Sequence, residues 1–434
     1  MQYQDALTYL DRLQMFTIKL GLDNETRLLA EMSEPHRQFP AIHIAGTNGK
    51  GSVGATLMTV LAAHGYKVGL YSSPHLQDIR ERFRINDEWI SKQAFSNLIQ
   101  HISDTLGKQS ITYFECTTTL AFLWFAQEKV DIAVIETGLG GRLDATNVLQ
   151  PLISVLTNVS LDHQEHLGNT TAAIASEKAG IIKPFVPVIC GELPAEAEHI
   201  IHAVCREKQC RLLSYGQDFT ASSTKDRCIR YHGFSENFQL DFYPALAGKH
   251  QWINTAVALA VLELLQDYGF PLLERTLCQA LSRVRWPGRL EFFQLEDTNN
   301  TRISLLLDGA HNQAGVTALK EELQSRQFNK LILIWGSMRD KKIGTSWDNL
   351  LQEASTILYT RAETERSADP ISLKEQTPLS LRHQVHCHSD PAEALQHALT
   401  IQQPGDLICV AGSLYLVGKI RTLVQDCFSI REGA

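Results

Sequence analysis

Nowhere does this chain run apolar and uninterrupted for anything near the ~18 residues that a membrane-crossing helix needs. Its first residues, MQYQDALTYLDRLQ, read as the start of an amphipathic helix and lack the apolar core of a secretory signal. Basic charge is not in excess: 40 Lys and Arg stand against 48 Asp and Glu, a net charge of -8. That speaks against a general nucleic-acid binder, which needs clustered positive charge to displace counterions. The nine cysteines show no paired metal spacing, and the closest two, Cys205 and Cys210, have no second knuckle to accompany them. An odd number of scattered cysteines fits a reducing compartment, so a cytoplasmic location is expected. Internal repeats and low-complexity tracts are missing as well.

What is present is an ordinary globular composition, 44% hydrophobic and 20% charged. At 434 residues the chain exceeds the size of one hydrophobic core, so two domains are expected. Short apolar runs alternate with helical patterns, the mark of a largely parallel sheet with helices on its faces. Strands are expected at Ala41–Ala45, Lys67–Tyr71, Asp131–Glu136, Leu152–Asn158 and Val186–Cys190. Mixed alternation over Cys228–Tyr243 suggests a small antiparallel excursion, followed by helices at Trp252–Tyr268 and Leu273–Val284. The turn-forming run Arg285-Trp286-Pro287-Gly288-Arg289 places the domain boundary just beyond it, giving domains 1–290 and 291–434. A second alternation then begins, with Ser304–Leu307 as its first strand and Leu331–Trp335, Thr356–Tyr359 and Leu407–Ala411 after it.

The strongest motif is Ala45-Gly46-Thr47-Asn48-Gly49-Lys50-Gly51-Ser52, set between a β-branched run and an amphipathic helix. That is the setting of a phosphate-binding loop: glycines let backbone N–H groups curl around phosphate oxygens, and the helix N-terminus adds positive potential. Lys50 would reach the β- and γ-phosphates, and Ser52 follows after an extra glycine. Such a loop binds nucleotide and leaves the reaction open, since switches, kinases and motors share it. Glu136 ends a buried-strand run ahead of a glycine-rich turn, where a carboxylate can hold magnesium. His163 and His166 suggest a zinc site, but a third ligand at suitable spacing is missing, and by composition Lys178 is a helix-end lysine. The cluster from Arg382 to His388 reads as alternation along one exposed strand.

Taken together, these segments resemble the Mur ligase superfamily, and within it the bacterial bifunctional dihydrofolate synthase/folylpolyglutamate synthases. The resemblance is carried by the loop Gly46–Ser52, Tyr71-Ser72-Ser73-Pro74-His75-Leu76, Glu136 through Asn147 and Leu161-Asp162-His163. It continues through Glu177-Lys178-Ala179-Gly180, Pro287-Gly288-Arg289, Leu307 through Asn312 and Ala411-Gly412-Ser413-Leu414-Tyr415, so it spans nearly the whole chain. It implies an α/β fold: a phosphate-loop NTPase-like domain of the Mur ligase central type and a smaller Rossmann-like C-terminal α/β domain. The implied activity is ATP-dependent addition of L-glutamate to dihydropteroate and to tetrahydrofolate, the alternative being a monofunctional folylpolyglutamate synthase.

The implied roles follow residue by residue. Thr47, Asn48, Gly49, Lys50, Gly51 and Ser52 would hold the ATP phosphates, and Asn254, Arg289, Asp308 and His311 would lie along the rest of the nucleotide. Ser73, Glu136 and His163 would ligate magnesium, with two sites expected, and Lys178 would be carbamylated and support the second. Lys50, Glu136, His163 and Lys178 form the expected catalytic set. The pterin substrate would meet Ile18, Lys19, Leu20, Phe114, Leu143, Asp144 and Ala145, with Lys19 standing where an acidic residue is expected in close relatives. The expected partners are small molecules alone, with neither nucleic acid nor membrane, and the expected state is a monomer.

Overall fold

The computed structural model describes residues 1–14, 21–224, 228–236, 238–296, 302–339, 344–361 and 367–432. Ile18, Lys19 and Leu20 therefore lie outside the described residues. The chain divides into two compact units, one of Met1–Ala245 with Gln251–Arg285, the other of Leu246–His250 with Trp286–Ala434.

The first unit is built on eight strands: β1 (Ala41–Ala45), β2 (Val68–Tyr71), β3 (Phe83–Ile85), β4 (Glu88–Trp89), β5 (Ile132–Glu136), β6 (Ile153–Leu156), β7 (Val188–Cys190) and β8 (Leu212–Ser214). They lie in the order β4-β3-β2-β5-β1-β6-β7-β8. From β2 to β8 every pairing is parallel, and β3 and β4 fold back antiparallel at one edge. All residues of β1 and β5 are buried, as expected when both faces of a parallel strand are covered. The pleat divides them. Ala133 and Ile135 join a core with Phe122, Phe125 and Leu120 of the helix Tyr113–Glu128. Val134 faces the other way, toward Gly54 of the helix Lys50–Ala63, where an added Cβ would meet it at 3.7 Å. A separate antiparallel sheet, β9 (Thr220–Ser223), β10 (Ile229–His232) and β11 (Gln239–Phe242), supplies the excursion that the alternation suggested.

One residue in this core is out of character. Glu25, on the helix Asp23–Glu31, is fully buried; its Oε1 accepts from the Thr119 hydroxyl at 3.0 Å and its Oε2 has no partner among the described residues. Burial raises its carboxyl well above the ordinary range, with Glu115 and Asp144 adding in the same direction. A folded-state value above the unfolded one contributes stability that is present below pH 4.5 and lost as pH rises. Glu25→Gln is therefore expected to stabilise the protein, by more at pH 8 than at pH 5. Urea midpoints at the two pH values test this, and a stabilisation that shrinks with rising pH would contradict it.

The second unit holds β12 (Glu291–Glu296), β13 (Arg302–Leu307), β14 (Leu331–Trp335), β15 (Thr356–Tyr359), β16 (Val385–Cys387), β17 (Leu407–Ala411) and β18 (Ser429–Glu432), in the order β16-β15-β14-β17-β13-β12-β18. The five strands from β16 to β13 are parallel; β12 and β18 run antiparallel at the other edge. Two expectations change here. The unit's first strand is β12, not Ser304–Leu307, and the division falls at Arg285/Trp286 rather than after Leu290. The reason is local bonding. Gly288 donates to Glu291 at 2.8 Å and accepts from the Gly309 N–H at 2.8 Å, Glu291 pairs with Arg421 at 3.0 Å, and Leu290 is buried in the second unit's core. The turn-rich run is thus stitched into the unit that follows it. No described helix is long and apolar enough to cross a membrane.

Candidate active site

Because β2, β5, β1 and β6 are consecutive and parallel, their carboxyl ends lie side by side. In open α/β sheets ligands bind beyond such ends. Beyond β2 comes Ser73, at the end of β5 is Glu136, beyond β1 is the loop Gly46–Ser52, and beyond β6 runs Thr157–His163.

The loop is moulded by its neighbour. A Cβ on Gly46 would fall 1.9 Å from the Thr157 hydroxyl, which itself donates to the Asn48 carbonyl at 2.6 Å. Asn158 accepts from Asn48 N–H through its side chain (2.8 Å) and from Thr47 N–H through its carbonyl (3.1 Å). Gly49 caps the helix at φ +83°, a conformation that favours glycine, and Asn254 packs so closely that a Cβ there would sit 2.4 Å from its Oδ1. Lys50 donates to the Gly46 carbonyl at 3.0 Å, and its ammonium stands 3.7 Å from Glu136. Gly51 and Ser52 open the helix, Ser52 being buried. Thr47, Asn48, Gly49, Lys50, Asn254 and Glu136 are thereby brought together.

After Glu136 the chain wraps around Asp144. Its Oδ2 accepts from Gly138 and Leu139 N–H, both at 2.8 Å, and its Oδ1 accepts from the Thr146 N–H at 3.1 Å and the Thr146 hydroxyl at 2.5 Å. Both oxygens organise the glycine-rich turn, with Leu143 and Ala145 flanking Asp144. Thr146 continues the chain of bonds to His43 Nε2 at 2.8 Å, and burial pushes that imidazole down to about 3. The turn then locks onto the helix Thr171–Ala179: Arg142 N–H donates to the Glu177 carbonyl at 2.8 Å, and a Cβ on Gly141 would meet the carbonyls of Glu177 and Lys178 at 2.8 and 3.0 Å. Lys178 is buried. Desolvation first, then the Lys50 charge, lowers its amine to about 7, while Asp162 and Asp144 pull the other way.

His163 sits in the left-handed region at φ +49° and is exposed, its Nε2 4.0 Å from Asp162. Phe114 lies over the glycine turn, since a Cβ on Gly138 would fall 2.4 Å from its ring, and the ring stands 6.0 Å from that of Tyr71. In the second unit Arg289, Asp308 and His311 are near one another: Asp308 accepts from Leu290 and Ala310 N–H at 2.8 and 2.9 Å, His311 bonds the Gly309 carbonyl at 2.8 Å, and a Cβ on Gly309 would meet Arg289 at 2.8 Å. Burial raises the Asp308 carboxyl, and the Arg289 charge opposes the rise.

Among the described residues no group of three or more His, Cys, Asp or Glu is arranged to hold a metal. The exposed histidine run is shorter as a strand than expected, β16 spanning Val385–Cys387, and the His388 ring bonds His397 at 2.9 Å instead. For magnesium, which prefers hard oxygens and retains waters, the available donors are a serine hydroxyl and a buried carboxylate. Such a partial set suits an ion completed by nucleotide phosphates. The roles of Thr157, Asn158 and His43 went unseen in the sequence; the first two follow β6 directly, and their place beside the loop could have been inferred from strand order alone.

Residues 44–262 match the Mur ligase middle domain, and residues 288–414 match the Mur ligase glutamate ligase domain. The dihydrofolate synthase/folylpolyglutamate synthase of Bacillus subtilis (strain 168) is 31% identical over 442 residues, 96% of this chain and 98% of that protein. A probable bifunctional folylpolyglutamate synthase/dihydropteroate synthase of Haloferax volcanii is 33% identical over 97% of this chain, which spans 50% of that longer relative. Among solved structures, Escherichia coli FolC in complex with DHPP and ADP superposes with a TM-score of 0.87 at 28% identity, covering 98% of both chains. The chain belongs to the Mur ligase family, and within it to the dihydrofolate synthase/folylpolyglutamate synthases.

Proposed function

We propose that this protein is an ATP-dependent ligase that joins L-glutamate to dihydropteroate, giving dihydrofolate, and to tetrahydrofolate, giving polyglutamates. The observation that carries the reading is the placement of Lys50 3.7 Å from Glu136, at the head of a phosphate loop flanked by the ends of β5 and β6. A carboxylate is a poor electrophile because attack would expel oxide. Transfer of the γ-phosphoryl group of ATP to it gives an acyl phosphate; the glutamate amine attacks the carbonyl, and phosphate leaves. Phosphoryl transfer is catalysed mostly by positioning and electrostatics. Loop N–H groups from Gly49 to Ser52 cradle the phosphates, those of Thr47 and Asn48 being bound to Asn158, and Lys50 neutralises charge gathering on the transferred oxygens. Magnesium, held by Ser73 and Glu136 with His163 alongside, would supply further charge neutralisation when bound. With its amine lowered to about 7, Lys178 has its neutral form within reach near neutral pH; that form can add carbon dioxide and release a proton to give a carbamate, exchanging a buried cation for an anion. Phe114, Leu143 and Ala145 line the pterin side.

A product assay tests this. With ATP, glutamate and either dihydropteroate or tetrahydrofolate, both glutamylated products are expected, each accompanied by one phosphate. Product from tetrahydrofolate alone would reduce the reading to a monofunctional folylpolyglutamate synthase. ATP hydrolysis with no amide formed from either acid would overturn it.

A further inference from the structure

Arg82 is only 6% exposed. Its Nε–H donates to His75 Nδ1 at 2.9 Å, and its guanidinium carbon lies 5.4 Å from the centroid of the Tyr113 ring. Among the described residues no carboxylate pairs with it. The neighbouring arginines differ: Arg80 pairs with Asp78 at 2.8 Å and Arg84 with Asp87 at 3.5 Å. The two acidic residues just before it in sequence are engaged elsewhere. Asp78 is bound by Arg80, and Glu81 accepts the N–H groups of Leu76, Gln77 and Asp78.

A guanidinium stays charged throughout the physiological range. Burying one without an anion is strongly unfavourable. His75 and Tyr113 fix the plane and direction of the group while contributing no negative charge. A cation held this way, with its terminal nitrogens bonded to no other described group, suits an anion that arrives with the substrate.

Its position identifies which anion. The Arg82 carbonyl accepts from Ser72 N–H at 3.1 Å, extending the ladder that pairs Tyr71 with Phe83, so Arg82 lies at the carboxyl end of β2 beside Ser73. Tyr113, under the guanidinium, precedes Phe114, whose ring covers the glycine turn after Glu136. Arg82 thus stands where the proposed pterin side meets the phosphate end of the sheet. We propose that Arg82 binds the carboxylate of the acid substrate, the group to be phosphorylated, with His75 as its positioning residue. This deepens the functional reading above and rests on it.

The test compares equilibrium binding of dihydropteroate and of its carboxamide, which keeps the pterin and loses the charge. The parent is expected to bind the acid at least about tenfold more tightly, the range of a hydrogen bond to a charged group. Arg82→Gln should bind the two ligands alike, with ADP affinity unchanged. Arg82→Lys, which keeps the charge and loses the fork, should retain part of the preference and serves if the Gln variant fails to fold. A folded variant that still prefers the acid as strongly as the parent, or that loses ADP affinity instead, overturns the assignment. A parent that binds neither ligand overturns the functional reading itself, and the assignment with it.

Discussion

Lys50→Ala is expected to lower synthesis from either pterin acid by about 10³-fold or more while leaving a folded protein. The ammonium stands 3.7 Å from Glu136 and is anchored by the Gly46 carbonyl at 3.0 Å. It is therefore aimed across the loop rather than into solvent, where the β- and γ-phosphates of a bound nucleotide would lie. Alanine at the first position of the helix Lys50–Ala63 is a good helix former, so the backbone of the loop should survive. A second effect follows from the same charge. Lys50 is the second cause of the lowered Lys178 amine, so its removal should let that amine rise. A thermal melt establishes folding, and a coupled phosphate and amide assay reads the loss. Near-parental turnover in a folded variant would dissolve the assignment of this loop to catalysis.

Lys178→Met is expected to abolish most of the activity and, at the same time, to stabilise the protein. The amine is held at about 7 in the folded state against an ordinary 10.5, chiefly by desolvation. At about 1.4 kcal/mol per unit, that difference is on the order of 5 kcal/mol. The unfolded chain binds the extra proton between these two values, so the contribution is present above pH 10.5 and is lost as pH falls toward 7. The methionine variant escapes this loss. In bicarbonate-free buffer, where the parent carries the bare amine, the variant's advantage should be small at pH 10 and grow steadily down to pH 7, as read from urea midpoints. In the parent, isotope-labelled bicarbonate should give a carbamate signal that the variant lacks. A fully active variant, or one whose advantage grows with pH, would show that the amine is neither used nor strained.

The parts of this molecule that were legible in the sequence are those whose physics is local. Strands β1, β14, β15 and β17 were bounded to the residue because their short apolar runs are buried along nearly the whole length. Strands β3, β4 and β12 were missed because Phe-Arg-Ile, Glu-Trp and Glu-Phe-Phe-Gln-Leu-Glu mix charge with apolar residues, as partly exposed strands at or near a sheet edge do. The phosphate loop was legible since its glycines, lysine and flanking elements are contiguous. Arg82 was hidden among Arg80, Arg82 and Arg84: composition cannot say which of three alternating arginines turns inward, and the structure separates them by their carboxylates. Asp144 was legible as an important carboxylate, but its saturation by Gly138, Leu139 and Thr146 depends on the path of the turn.

The insertion of β5 between β2 and β1 bears on how the chain can acquire its activity. The loop, Glu136 and Thr157 are apart in sequence: Glu136 comes beside the loop when β5 enters the gap between β2 and β1, and Thr157 when β6 pairs with β1. No contiguous fragment that stops short of β6 contains them all. Closing such distant pairings costs chain entropy before any contact offsets it, which makes parallel sheets slow to form. Catalytic competence should consequently emerge late and all at once during refolding, after most helical signal has returned. On a ribosome, a chain arrested before residue 157 would carry the phosphate loop without the strand end that moulds it.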